Sequence, residues 1–387
     1  MTATVDLAAI RHNARVLQDR IGDAELMAVI KADAYGHGIL PVARALSDEG
    51  IRHFGVARLE EGIQLREHGH TARILVLGAP APADVARYRD YNLDLTVPSA
   101  EIAAAVVRHA RPDDMIRAHV LVDTGMGRLG LPPDDVSAVA SRLDGTSGIA
   151  LAGMWSHFAT ADAPGSAFAQ TQLDRFRSVV ENLAVPVEHV HTANTGALLT
   201  LGEPAYGFAP SLVRSGIALY GLAATPELAT RLDLRPAMQL TARVTHLKTV
   251  PAGTPISYGA HWQAPRRTRI ATLGVGYGDG YPRSCSGRAT VQIGGTSRPV
   301  VGTICMDMCM VDLGPPNRAP ATTVELGEEA TVFGPSGPTV YDVARWSETI
   351  PYEICCAVSP RVPRRYLAPD DDSKAAPHPP QASRPGT

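Results

Sequence analysis

With 387 residues, 45% of them hydrophobic and 19% charged, the chain is long enough for two domains and has the make-up of a folded, soluble protein. Its 36 basic and 39 acidic side chains leave a net charge of −3, which excludes an ordinary electrostatic nucleic-acid binder. No apolar run reaches the roughly 18–20 residues of a membrane span. The opening MTATVDLAAIRHNARVL carries an early acid and polar breaks, unlike a secretory signal. The expectation is a cytoplasmic protein with neither membrane nor nucleic-acid partner.

Taken in chain order, short apolar runs alternate with helical stretches. LMAVIK precedes a helix from about Ile39. HFGVA precedes LEEGIQLREHG, RILVLG precedes PADVARYRD, and LDLTV precedes SAEIAAAVVRHA. IRAHVLVD precedes PPDDVSAVASRL, and IALAGMWSH precedes a helix around QTQLDRFRSVVENL. VEHVHTAN and a short apolar helix follow, then SLVRSG. Alternation of this kind specifies a parallel sheet. Eight units over residues 1–235 predict a closed (β/α)8 barrel of the TIM type, which typically takes about 250 residues. An open doubly wound sheet is the topological alternative. Residues 236–367 change character: AMQLTARVTHLKTVPAG, RTRIATLGVGYGDG, ATVQIGGTSRPVVGTICMDMCMVDL and EEATVFG read as strands with Gly/Pro turns. They predict a second, mostly antiparallel β domain. Residues 368–387 are Pro-rich and polar and are expected to be disordered. The five cysteines lack metal spacing and are expected to be buried and reduced.

Chemistry in such barrels sits at the C-terminal strand ends. Those positions hold Lys31, Arg58, Asp123, Arg128, His157, Asn194, Thr195 and Arg214. The set has no free carboxylate pair for glycoside hydrolysis and no metal-type cluster. Lys31 closes an apolar strand. It is either a snorkelling surface lysine or an amine desolvated enough to condense with a carbonyl group.

AVIKADAYGHG resembles the pyridoxal-phosphate lysine motif of the alanine racemase family. DTGMGRLG, WSHFATAD, HTANTGA, VRSGIALYG, ISYGAHW, GVGYGDGYPR, TICMDMCMVDL and IPYEI also match, in family order and across both domains. The resemblance implies a pyridoxal 5'-phosphate enzyme that interconverts L- and D-alanine. Lys31 would carry the cofactor and serve as one of two acid–base groups, acting on the D form. Tyr258 would act on the opposite face. A phenol of pKa ~10 is a weak base at neutral pH, and the family assists it through a histidine, here His157, hydrogen-bonded to Arg214. Arg214 would also face the cofactor's ring nitrogen and leave it unprotonated. Tyr35, Asn194, Thr195, Gly216, Ile217 and Tyr352 would complete the cofactor site. Arg128 and the Met306 N–H would take the substrate carboxylate, and Tyr277 with Tyr352 would narrow the entrance.

The resemblance also implies a homodimer whose sites combine one subunit's barrel with the other's β domain. Racemisation of another small amino acid, such as serine, would share every motif. A decarboxylase of the same cofactor fold would need an acid where Arg214 stands. A non-catalytic cofactor-binding barrel would lack the second domain. One position departs from the family: Leu121 replaces a lysine that often carries a carbamate beside the barrel arginine. A buried Arg128 would then be satisfied by a bound anion such as chloride, by a side chain from elsewhere, by partial solvation, or by other hydrogen bonds.

Overall fold

The computed structural model describes residues 1–316 and 324–367; the tail expectation lies outside the described residues. The chain starts with β1 (Thr2–Asp6) and enters a run of eight parallel strands. These are β2 (Glu25–Val29), β3 (His53–Val56), β4 (Arg73–Val76), β5 (Asp94–Val97), β6 (Ile116–Leu121), β7 (Ile149–Trp155), β8 (His189–His191) and β9 (Leu212–Ser215). They pair in the order β8-β7-β6-β5-β4-β3-β2-β9. A parallel bridge between Val190 and Ser211, with Val190 N–H donating to the Pro210 carbonyl at 2.9 Å, joins the two ends into a barrel. Most strand residues are apolar because both faces are covered: every residue of β5 is buried, and Met27, Leu75 and Leu212 pack together. The surrounding helices bury one stripe each. In Leu7–Ile21 that stripe is Ile10, Ala14, Leu17 and Ile21, spaced as a helix face requires.

The second unit holds a mostly antiparallel sheet around β10 (Met238–Val250). β10 pairs with strands 268–273 and 329–333 and also with β1. β1 lies parallel to the strand Arg364–Leu367 on its other side. Residues 1–8 therefore group with 238–350 and the chain from 357 onward, whereas 351–356 group with 9–237. The sequence reading placed residues 1–235 in the barrel. The difference arises because TATVD alternates as a half-buried strand and finds its partners in the second sheet.

All five cysteines are free thiols. Cys285, Cys309 and Cys355 are buried as expected, but Cys356 is exposed. It belongs to the short helix Pro351–Ala357, which buries Pro351, Ile354 and Cys355, and it lies within electrostatic reach of Lys31.

Candidate active site

Lys31 follows the last residues of β2, whose end is held by Ile30 N–H donating to the Gly55 carbonyl at 2.9 Å. The next four residues, Ala32, Asp33, Ala34 and Tyr35, all have φ near +54° and form a left-handed turn without a single glycine. Each such residue costs roughly 1–2 kcal/mol, so the turn must be held by its surroundings. Gly38 N–H reaches the Asp33 carbonyl, and the Asp33 carboxylate accepts Ile39 N–H at 2.7 Å. His37 Nδ1 lies 3.0 and 2.9 Å from the carbonyls of Ala34 and Tyr35.

Glu61 clamps the start of the turn: Oε1 accepts Ala32 N–H at 2.6 Å, and Oε2 accepts Ala57 and Arg58 N–H at 2.8 and 3.0 Å. Three backbone donors thus share two carboxylate oxygens. An amide offers one acceptor oxygen only. Glu61→Gln is expected to lose about 1–2 kcal/mol of stability, read as a lower urea midpoint with unchanged slope. Glu60→Gln, at an exposed neighbour, should leave the midpoint in place.

Tyr35 leads into an aromatic wall, with ring centroids 5.0 Å from Tyr220 and 6.2 Å from Tyr352. Burial pushes the Tyr35 phenol's pKa up, so it remains a donor. Its hydroxyl lies against Gly216, where a Cβ would come within 2.5 Å of the oxygen. Beside it, Thr195 Oγ1 accepts Gly216 N–H at 3.3 Å and lies 3.2 Å from Ser215 Oγ. Ile217 opens the turn Ile217–Tyr220. Hydroxyls and backbone N–H groups therefore gather where β9 ends, the usual phosphate position in such barrels. Ser215 was not among the sequence candidates. Asn194 takes a structural part here, its Oδ1 accepting Ala197 N–H at 2.8 Å as the cap of Thr195–Thr200.

Electrostatics tie the remaining barrel candidates together. Burial lowers the Lys31 pKa, and the Arg128 charge lowers it further. Burial, then Arg214, Arg128 and Lys31, push His157 down to about 3. Burial and Arg128 pull Arg214 down to about 9, which leaves it charged at neutral pH. The mouth is thus a cationic pocket around a neutral imidazole, suited to an anionic ligand. The Arg214 hydrogen bonds go to His191, Ser156 and Thr192. Among the described residues no hydrogen bond joins His157 to Arg214, whose NH1 and NH2 donate to carbonyls and to His191; His157 feels the arginine's charge.

Arg128 is exposed on the isolated chain and has no hydrogen bond or ion pair among the described residues. The loop before it is shaped instead by Asp123, whose carboxylate accepts Gly125 and Gly127 N–H. Leu121 is buried in β6.

The β unit brings its own candidates to one loop. Tyr258 is 72% exposed and its carbonyl accepts from Thr303 Oγ1 at 2.9 Å. Tyr277 N–H donates to the Cys305 carbonyl at 3.0 Å, and Gly278 N–H to that of Met306 at 2.9 Å. Residues 303–306 thus align Tyr258, Tyr277 and Met306, all exposed. Arg361 secures the loop by bridging Asp279 at 2.6 Å and Asp307 at 2.8 Å.

Family comparisons agree with this arrangement. The alanine racemase N-terminal domain matches residues 5–224, and the alanine racemase C-terminal domain matches 237–366. The chain is 41% identical to the alanine racemase of Symbiobacterium thermophilum over 372 residues, 94% of this chain and 96% of that protein. It is 36% identical to the alanine racemase of Halothermothrix orenii, over 94% of this chain and 96% of that one. The solved alanine racemase of Streptomyces coelicolor superposes with a TM-score of 0.88 at 38% identity, covering 95% of this chain and 97% of that structure. With a barrel that carries its lysine at the first strand end and a β unit that matches in turn, this chain belongs to the alanine racemase family.

Proposed function

We propose that this protein interconverts L- and D-alanine, using pyridoxal 5'-phosphate carried on Lys31. The observation that carries the reading is a desolvated lysine in a cationic barrel mouth, at the end of the strand that pairs with β9, whose own end gathers hydroxyl and N–H groups. The residues fit the cofactor's chemistry: Tyr35, Thr195, Gly216, Ile217 and Tyr352 would hold its phosphate, Asn194 would border that cradle, and Arg214 would hold its ring nitrogen. When bound, pyridoxal phosphate withdraws electrons from the substrate's Cα and makes its proton removable.

Lys31, with its pKa lowered by burial and by the Arg128 charge, releases its proton more readily than a free lysine and moves the Cα proton on one face. Tyr258 moves it on the other. His157, kept neutral, contributes a lone pair rather than a charge to that side. Arg214 donates hydrogen bonds without surrendering a proton, which suits a reaction that shifts one proton and nothing more. Arg128 and the Met306 N–H bind the substrate carboxylate, and Tyr277 and Tyr352 narrow the entrance. One methylene alters selectivity by only about 1–3 kcal/mol, so serine is the nearest competing substrate. The setting is cytoplasmic; among the described residues no helix is long and apolar enough to cross a membrane.

Chiral analysis of products from alanine, serine and other small amino acids, with carbon dioxide followed in parallel, tests the reading. Racemic alanine without gas release is the expected result; carbon dioxide release would indicate a decarboxylase. Rates in degassed buffer should match those with added bicarbonate, since Leu121 cannot carry a carbamate. A loss of rate without carbon dioxide would place a carbamate on another lysine.

The active form is a homodimer in which each site joins barrel groups of one protomer to Tyr258, Tyr277 and Met306 of the other. Lys31→Ala and Tyr258→Phe chains, unfolded and refolded together, make about half hybrid dimers, each with one intact site. About a quarter of the parent activity should return. No recovery in demonstrably mixed dimers would place both groups in one chain.

A further inference from the structure

Arg214 is 3% exposed and has no carboxylate among its hydrogen-bond partners. NH1 donates to His191 Nδ1 at 2.9 Å and to the His191 carbonyl at 2.6 Å. NH2 donates to the carbonyls of Ser156 at 2.7 Å and Thr192 at 3.0 Å. Arginine only donates, so His191 Nδ1 accepts and its proton sits on Nε2. That nitrogen is 3.0 Å from His119 Nδ1, which must then accept. His119 therefore carries its proton on Nε2, which lies 3.2 Å from Asp94 Oδ2. Each assignment forces the next. One row of hydrogen bonds, all pointing the same way, runs from a buried guanidinium to a buried carboxylate.

The charges agree with that row. Burial, followed by the Arg214 charge, lowers the His191 pKa and keeps that imidazole neutral. Burial works against the Asp94 charge, but the His119 bond and the Arg117 guanidinium outweigh it and leave the carboxyl below its usual range. Arg117 Nε is 3.3 Å from Asp94 Oδ1.

The backbone makes room for the row. His119 lies on β6 and His191 on β8, with β7 between them. The β6–β7 register shifts there: Ala118 faces Leu151, and His119 faces Gly153. A Cβ at Gly153 would come within 2.3 Å of His119 Nδ1. Only glycine lets the two imidazoles meet across the intervening strand.

We propose that Asp94, His119 and His191 are positioning residues that hold Arg214 in one orientation at the barrel mouth, and that Gly153 is the gap this relay requires. The proposal rests on the reading in which Arg214 holds the cofactor's ring nitrogen. The carbonyl acceptors fix the place of the guanidinium; the relay also joins it to a negative charge. Weakening the relay frees the guanidinium to turn and changes the field at the ring.

The test uses the full chain labelled with 15N-histidine, together with Asp94→Asn, which removes the charge, and Gly153→Ala, which alters no titrating group. Nitrogen chemical shifts, read without cofactor, report the tautomers. Visible spectra and kinetics are read with pyridoxal phosphate bound. The parent chain should show Nε2–H on both His191 and His119, and Gly153→Ala should lose that signature at His119. Both variants should shift the absorption maximum and lower kcat about tenfold, with KM within about twofold. Unchanged spectra and kcat beside a lowered melting temperature would make the cluster mere packing and overturn the proposal. Nδ1–H tautomers in the parent chain would overturn it too. A parent chain that binds no pyridoxal phosphate would refute the ring-nitrogen reading, and the tautomers would still decide whether the relay exists.

Discussion

Replacing Lys31 with alanine lowers racemisation by at least about a thousandfold and removes the absorbance change on titrating pyridoxal phosphate. Both effects follow from one side chain. In the proposed reaction its amine carries the cofactor at the barrel mouth and also serves as the base for one face of the substrate. The variant should fold normally, because the lost amine sits near the like charges of Arg128 and Arg214 and has shed part of its own proton affinity to burial. Chiral chromatography and a visible spectrum read the outcome. A variant with parent turnover and a parent spectrum would place the chemistry elsewhere.

Tyr258→Phe should cost a similar factor in racemisation while sparing one half of the reaction. In the proposed two-base reaction, loss of the phenol leaves one face of Cα without its base, while Lys31 would still serve the other. Exchange of the α-proton with deuterated water should therefore persist for D-alanine and vanish for L-alanine. Tyr258 is 72% exposed, and its fixed contact is the backbone carbonyl held by Thr303, so the substitution leaves the β unit folded. Equal loss, or equal retention, of exchange for both enantiomers would end the two-base reading.

Most of the barrel strands were legible as apolar runs ended by polar or small residues, a pattern that burial on both faces makes. Lys31 and Arg214 were legible as strand-end residues. The left-handed turn was not: four residues in that region without glycine contradict local backbone preference, and only tertiary bonds such as those from Glu61 maintain them. Glu61 did leave a trace, an acid three residues after Arg58 at the start of a helix, where such groups reach back to free N–H donors. Gly153 left another, since a glycine inside the strand LAGMW marks a close approach. What approached it could not be read, because His119 lies on a neighbouring strand and the register shift that brings them together has no sequence signature. The place of Arg128 in the DTGMGRLG motif was legible as well, whereas the way Asp123 folds the loop before it was not.

β1 pairs with β10 on one side and with Arg364–Leu367 on the other. During synthesis, β1 is therefore made roughly 230 residues ahead of β10, its first partner, an interval of about 10–50 s at ordinary elongation rates. The barrel strands all emerge within that interval and can close first. Until β10 appears, Thr2–Asp6 is an alternating strand with two open edges. It is the part of the nascent chain most exposed to wrong pairing, and a fusion or bulky label attached before it would burden the assembly of the distant β sheet rather than that of the adjacent barrel.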